Sequence, residues 1–173
     1  MSDIDPRKVA LWMNSAHGLS VIPLGRESKR PREADWPNKV RTTEEEILQL
    51  EQTHNYGVSC VGITVVDFDP RNMDVVDPTD EESVQYMIEL IRDAHGLGPT
   101  LEVYTGSGGL HLYYQGESNL KRLSGVSGVD VKSGHGQQVV GPGSIHPDTR
   151  KPYFVTRNAY LSPSPESLRP SQS

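Results

Sequence analysis

Two β-rich runs, Leu101–Tyr104 and Leu110–Tyr114, are separated by a short turn built on Gly106-Ser107-Gly108-Gly109. A connection that short joins neighbouring strands running in opposite directions, whereas parallel neighbours need a crossover of a dozen residues or more. At least one pair of strands in this protein is therefore antiparallel. Val129–Lys132 and Gln138–Val140 are predicted to form a second such pair around Ser133-Gly134-His135-Gly136, and Ser20–Leu24, Tyr56–Cys60, Ile63–Phe68 and Pro152–Val155 also read as short strands. Helices fall between them. Asp5 and Pro6 suit the start of a segment whose apolar face (Val9, Leu11, Trp12, Ala16) runs to about Gly18. Thr43 followed by Glu46 is a capping box that opens a helix to about Gln52. Glu81–Ala94 places Val84, Met87, Ile88 and Ile91 on one face. The fold class is α+β with a largely antiparallel sheet, not a doubly wound parallel one.

The chain has 173 residues, enough for one domain with its own core. Residues 1–160 are expected to form it, and residues 161–173, rich in Ser and Pro, to be a tail or linker. An apolar fraction of 34% with 23% charged residues fits a globular protein. No apolar run reaches the roughly 18–20 residues of a membrane span, so no membrane partner is expected. The acidic start, MSDIDPRKVALW, does not read as a signal peptide. The single cysteine, Cys60, excludes a disulfide framework and a Cys-based zinc site, so no zinc is expected and a reducing, cytoplasmic setting is. The net charge of −6 is unevenly spread. Residues 1–41 carry eight basic and five acidic side chains, residues 42–117 two and fifteen, and residues 118–173 seven and three. An acidic middle between basic flanks suits a divalent cation at the centre with polyanion contacts around it, and equally suits acidic helices that face water.

Four patterns carry chemistry. Val65-Val66-Asp67-Phe68-Asp69-Pro70 ends a strand in two aspartates two positions apart. Such residues share a face, about 6.5–7 Å apart along the strand, and Phe68 between them turns into the core. Like charges so placed repel unless a cation sits between them, and hard carboxylate oxygens select Mg²⁺ or Mn²⁺. The pair also fits a strand end with two solvated acids. In the second pattern His111 follows the glycine turn, where Ser107, Gly108 and Gly109 let backbone N–H groups approach a phosphate; a plain hairpin turn with a surface histidine fits as well. The turn lacks G-K-[ST] and is no Walker loop. In Gly128-Val129-Asp130-Val131-Lys132, Asp130 would complete a three-carboxylate set with Lys132 beside it, although a half-exposed alternating strand fits too. Lastly, Gly141-Pro142-Gly143-Ser144-Ile145-His146-Pro147 is a rigid turn whose Ser144 or His146 would meet a sugar or triphosphate, or which serves only as a turn.

In this order, the D-x-D, the glycine turn with its histidine, the Asp130–Lys132 strand and the G-x-x-V-V turn ending in Ser144-Ile145-His146-Pro147 resemble the bifunctional DNA primase/polymerase (prim-pol) family of the archaeo-eukaryotic primase superfamily. Gly18–Leu24, Lys29-Arg30-Pro31, Trp36 and Asn55–Val58 are similar to the family's segments upstream of the catalytic strand. The resemblance spans about Gly18 to Phe154. It departs at Gly109, where the superfamily often has serine, at Gly141–Ser144, where adjacent prolines are common, and in the short link between the Tyr56 and Ile63 strands.

The resemblance implies an RRM-like catalytic unit with packed helices, and a replication protein of a phage or plasmid acting in the cytoplasm of a bacterial host. It implies that Asp67, Asp69 and Asp130 hold two divalent ions, Mg²⁺ or Mn²⁺, for template-directed nucleotidyl transfer. It implies that His111 and Lys132 bind the phosphates of a nucleoside triphosphate, dNTP or NTP, within reach of Ser107, Gly108, Gly109, Ser144 and His146. Single-stranded DNA template and primer would follow the basic residues Lys29, Arg30, Arg32 and Lys121. Lys29 would also be able to reach the nucleotide. A helicase domain or helicase partner is a further expectation. The competing readings are a metal-dependent nuclease or phosphodiesterase using the same acids, and a catalytically silent nucleic-acid-binding module of a replication initiator, which would have no need of three acids.

Overall fold

The computed structural model describes residues 5–169. Its elements in chain order are α1 (Pro6–His17), β1 (Val21–Pro23), α2 (Glu44–Ile47), β2 (Tyr56–Ser59), β3 (Ile63–Phe68), α3 (Glu81–His95), β4 (Leu101–Tyr104), β5 (Leu110–Gln115), β6 (Val129–Ser133), β7 (Gln138–Val140), β8 (Phe154–Arg157) and β9 (Ser162–Pro163). Short 3₁₀ turns lie at Trp36–Asn38, Pro70–Asn72 and Glu166–Leu168. The protein is α+β with mostly antiparallel sheets and few helices. α1 begins and ends on the residues its sequence offers. The Asp5 carboxylate accepts from Arg7 N–H, Pro6 occupies the first turn, and Gly18 closes the helix at φ 68°.

Strands β1-β2-β7 form a small antiparallel sheet, and β6-β3-β5-β4-β8 a larger one, with β9 added in parallel to the end of β5. Alternation along β3 explains how the two cores are divided. Ile63 and Val65 face a core shared with α1, β1, β2 and β7, whereas Val66 and Phe68 face α3 through Val84, Ile88 and Ile91. Burying one side chain such as Phe68, 1% exposed, stabilises by about 1.5–3 kcal/mol. Asp67 lies on the first of these faces, so β3 carries its carboxylate toward the small sheet.

The structure corrects several sequence expectations. β6 and β7 do not pair with each other: β6 joins β3 and β7 joins β2. The chain changes sheet between β6 and β7 beside the place where it changes sheet between β2 and β3. Gly134 N–H donates to Cys60 O at 2.8 Å and Cys60 N–H to Gln137 O at 3.0 Å, so each crossover holds the other. α2 stops at Ile47 rather than Gln52, because Gln49 and Leu50 bond back only three residues, a tighter turn that brings both Ile47 and Leu50 into the core. The strand expected at Pro152–Val155 lies at Phe154–Arg157, with Pro152 only bridging Ile145. The basic stretch 25–42 is mostly surface, yet Trp36 and Val40 pack on the first core. Residues 161–169, expected as a tail, are packed. Leu161 joins the first core, β9 adds to β5, and Leu168 is fully buried beside α3. The rest of that expected tail, residues 170–173, lies outside the described residues. No helix among the described residues is long and apolar enough to cross a membrane.

Candidate active site

The ladder sets the site before any side chain is considered. Asp67 on β3 is the register partner of His111 on β5 and of Asp130 on β6, so the three share one face in a row across the sheet. β3 then ends, and Asp69 caps the turn that follows. Its carboxylate accepts from Arg71 N–H at 3.2 Å and from Asn72 Nδ2 at 2.7 Å. Asp69 N–H donates to Gly128 O at 2.8 Å, which ties the strand end to β6. Gly128 is needed there: at φ 76° it brings its backbone so near Asn72 and Met73 that a Cβ would lie 2.5 Å from their backbone atoms.

A cavity of about 210 Å³ opens over this row. Asp67, Asp69, Ser107, His111, Lys132 and His146 line it, as expected, and so does Lys29, expected chiefly on the DNA path. His111 is 4% exposed; its Nε2 lies 3.3 Å from Asp67 Oδ1, and its buried Nδ1 has no partner among the described residues. Burial pushes the Asp67 carboxyl up. The His111 imidazole, by charge and hydrogen bond, and then the Lys132 and Lys29 charges outweigh that and hold it below the ordinary carboxylate range. Asp67 is thus a carboxylate at neutral pH. His146 is 1% exposed, and its Nδ1 accepts from the Asp148 and Thr149 N–H groups at 3.1 and 3.3 Å, which leaves Nε2–H as its donor. Burial lowers its pKa first, helped by the Lys29 charge. Tyr153 stacks on His146 at 5.8 Å between ring centres and meets His111 at 6.2 Å, so a run of rings supports the cavity.

Other expected residues stand elsewhere. Asp130 is exposed and does not line the cavity, although its backbone is opposite that of Asp67. Among the described residues no three His, Cys, Asp or Glu side chains gather closely enough to hold a metal ion. Ser144 is fully buried and serves the fold, accepting from Tyr56 N–H at 3.2 Å. Gly109 is buried in the turn behind the cavity wall, and Gly108 lines a neighbouring cavity. Arg30, Arg32 and Lys121 are exposed and away from the cavity.

Four polar lining residues were not anticipated: Arg71, Thr105, Gln138 and Tyr153. Arg71 had a signal. It and Arg92 are the two cations of residues 42–117, and Arg92 is taken by Glu102 at 2.7 Å. The other three carried none, because only tertiary folding brings the turn after β4, the start of β7 and the turn before β8 to one place.

Two carboxylates with Lys29, Arg71 and Lys132 around one opening can hold a polyanion and a hard cation together. Mg²⁺ is commonly bound by one or two carboxylates plus substrate phosphates and water, so the donor set fits a divalent ion that arrives with a phosphorylated substrate. A family model described as "Bifunctional DNA primase/polymerase, N-terminal" matches residues 10–167. No curated protein matches the chain.

Proposed function

Because the chain belongs to the bifunctional DNA primase/polymerase N-terminal domain family, we propose that it carries out template-directed nucleotidyl transfer in phage or plasmid DNA replication. The observation that supports this reading is the composition of one cavity: the ionised Asp67 and its neighbour Asp69 facing Lys29, Arg71 and Lys132. A nucleoside triphosphate, dNTP or NTP, would lay its phosphates against Lys29 and Lys132, with the Nε2–H of His146 as a further donor. His111 orients the Asp67 carboxylate from within the cavity wall. The 3′-oxygen of a primer attacks the α-phosphorus, and the bond to the departing pyrophosphate breaks. The protein's part in this is charge placement and alignment rather than covalent chemistry.

Asp67 and Asp69 would hold Mg²⁺ or Mn²⁺, and Asp130, the register partner of Asp67 on β6, would have to turn in from outside the cavity to join them. Bound there, divalent ions would favour the ionised form of the attacking hydroxyl and offset charge on the leaving group. Arg71, whose contacts to Asp69 and Asp148 are 3.5 and 3.6 Å long, would give up Asp69 to such an ion. Single-stranded template and primer, and a helicase in the same replication system, are the partners this reading implies.

Incubation with a primed template, Mn²⁺ and each nucleotide pool tests the proposal. Extension is the expected result; degradation without nucleotides indicates a nuclease, and retention alone a binding module. Asp67→Ala and Asp69→Ala are each expected to abolish extension and to lower the thermal midpoint, because Asp67 is the partner of buried His111 and Asp69 caps the turn after β3. Full extension by either variant overturns the assignment.

A further inference from the structure

Beside the first cavity lies a larger one, about 420 Å³, on the α3 side of the large sheet. The two share Arg71, Ser107 and His146 as a common rim. The second is walled by apolar surface, with Val84 at the start of α3, Pro78 before it and Tyr104 at the end of β4, while the amide of Gln85 supplies a polar edge. Tyr104 and Phe154 are register partners on β4 and β8, and their rings stack at 4.8 Å with a 34° tilt. Phe154 is 44% exposed on an edge strand. Half-exposed stacked aromatics beside cations are how proteins hold unpaired bases, since every base has a π-face.

Arg71 supplies the link. Its guanidinium stands between Asp69, at 3.5 Å, and Asp148, at 3.6 Å, and its side chain is more than half exposed. We propose that the second cavity takes one unpaired nucleobase of a DNA single strand, stacked on Tyr104, with the adjoining phosphate across Arg71 toward the first cavity. The inference rests on the polymerase reading above and adds a site for the strand to it. Charge selects the strand over a free nucleotide. Glu81 and Asp148 also line the cavity and repel a triphosphate, whereas a phosphodiester brings a single negative charge that Arg71 and Lys151 balance.

The test uses a short single-stranded oligonucleotide carrying 2-aminopurine at one position, without metal or nucleotide. Stacking on Tyr104 quenches its fluorescence. Tyr104→Leu is expected to restore the fluorescence and weaken binding about 5- to 150-fold, the range that loss of one base–aromatic stack gives. Tyr104→Phe keeps the ring and is expected to bind as the parent does, which separates stacking from misfolding; thermal melting of each variant accompanies the titration. Unchanged binding and quenching in Tyr104→Leu, with the parent still extending primers, overturns this inference and leaves the polymerase reading standing. A parent that neither binds the oligonucleotide nor extends a primer overturns both. Quenching of free 2-aminopurine nucleoside triphosphate as strong as that of the oligonucleotide overturns the assignment to a strand.

Discussion

The residue that most directly couples the site to stability is Cys60. Its side chain is fully buried at the crossover between the sheets, and burial pushes the thiol from 9.0 up to about 12, with Lys132 lowering and Asp67 raising it further. A raised folded value means that the folded protein keeps its proton where the unfolded chain has lost it. The stability this group contributes is complete below pH 9.0 and is lost as pH rises toward about 12. Tyr114, pushed by burial from 10.0 to about 12, adds to the same alkaline loss. Urea midpoints measured between about pH 8 and 11 are expected to fall, and Cys60→Ala is expected to flatten the fall. An equal slope in the variant would place the alkaline loss elsewhere. At neutral pH the thiol reacts with a disulfide reagent only as fast as the protein opens. A second residue-scale expectation concerns Lys29. It lines the first cavity, where the Gln138 amide donates to its backbone carbonyl at 3.2 Å, whereas Arg30, Arg32 and Lys121 stand away from it. Neutralising the latter three is expected to reduce the slope of log K against log salt for single-strand binding by about 0.7 each. Lys29→Ala is expected to raise the nucleotide requirement and leave that slope nearly unchanged, as read by fluorescence titration at several salt concentrations.

At the scale of elements, the turn between β4 and β5 explains why residue 109 is glycine. A Cβ at Gly109 would lie 2.2 Å from the Phe68 carbonyl oxygen and 2.8 Å from Thr105 Oγ1. Glycine is therefore required by the close approach of this turn to the strand end between Asp67 and Asp69. Gly109→Ser is expected to destabilise by about 1–3 kcal/mol in urea unfolding and to reduce extension with it, because the strain falls on Phe68. A variant as stable and active as the parent would show that the turn can give way. The same turn shows what was legible in the sequence. Its glycines and flanking β runs announced the β4–β5 hairpin, and Asp5, Pro6 and Gly18 announced both ends of α1, because those signals are local. The pairing of β6 with β3 and β7 with β2 was not legible, since a glycine turn looks alike whether its strands pair or part. Within the site, Asp67 and His111 could be placed from alternation alone. Ser144 could not, because its hydroxyl is occupied by Tyr56, eighty-eight residues away in sequence.

At the scale of the whole molecule, the expected boundary at residue 160 cuts through packed structure. Gln115 Nε2 donates to Leu161 O at 2.7 Å, Ser162 N–H donates to Thr100 Oγ1 at 3.0 Å, and Leu168 is fully buried against the α3 core. Leu168→Ala is expected to cost about 2–5 kcal/mol. Ending the chain after residue 160 is expected to lower the thermal midpoint by more than that single change does. An undiminished midpoint in the shortened protein would show the segment to be dispensable.

The paired crossovers have a consequence for the order in which the molecule comes into being. β2 pairs with β7, Gly57 opposite Val140, so the wall of the first cavity formed by Gln138, Val139 and Val140 reaches its place only after most of the chain exists. On a ribosome, β3 and its aspartates emerge long before that wall. The nascent protein therefore holds an open, half-lined acidic strand, and the pocket closes as a late event governed by the slow search of distant partners rather than by local turns.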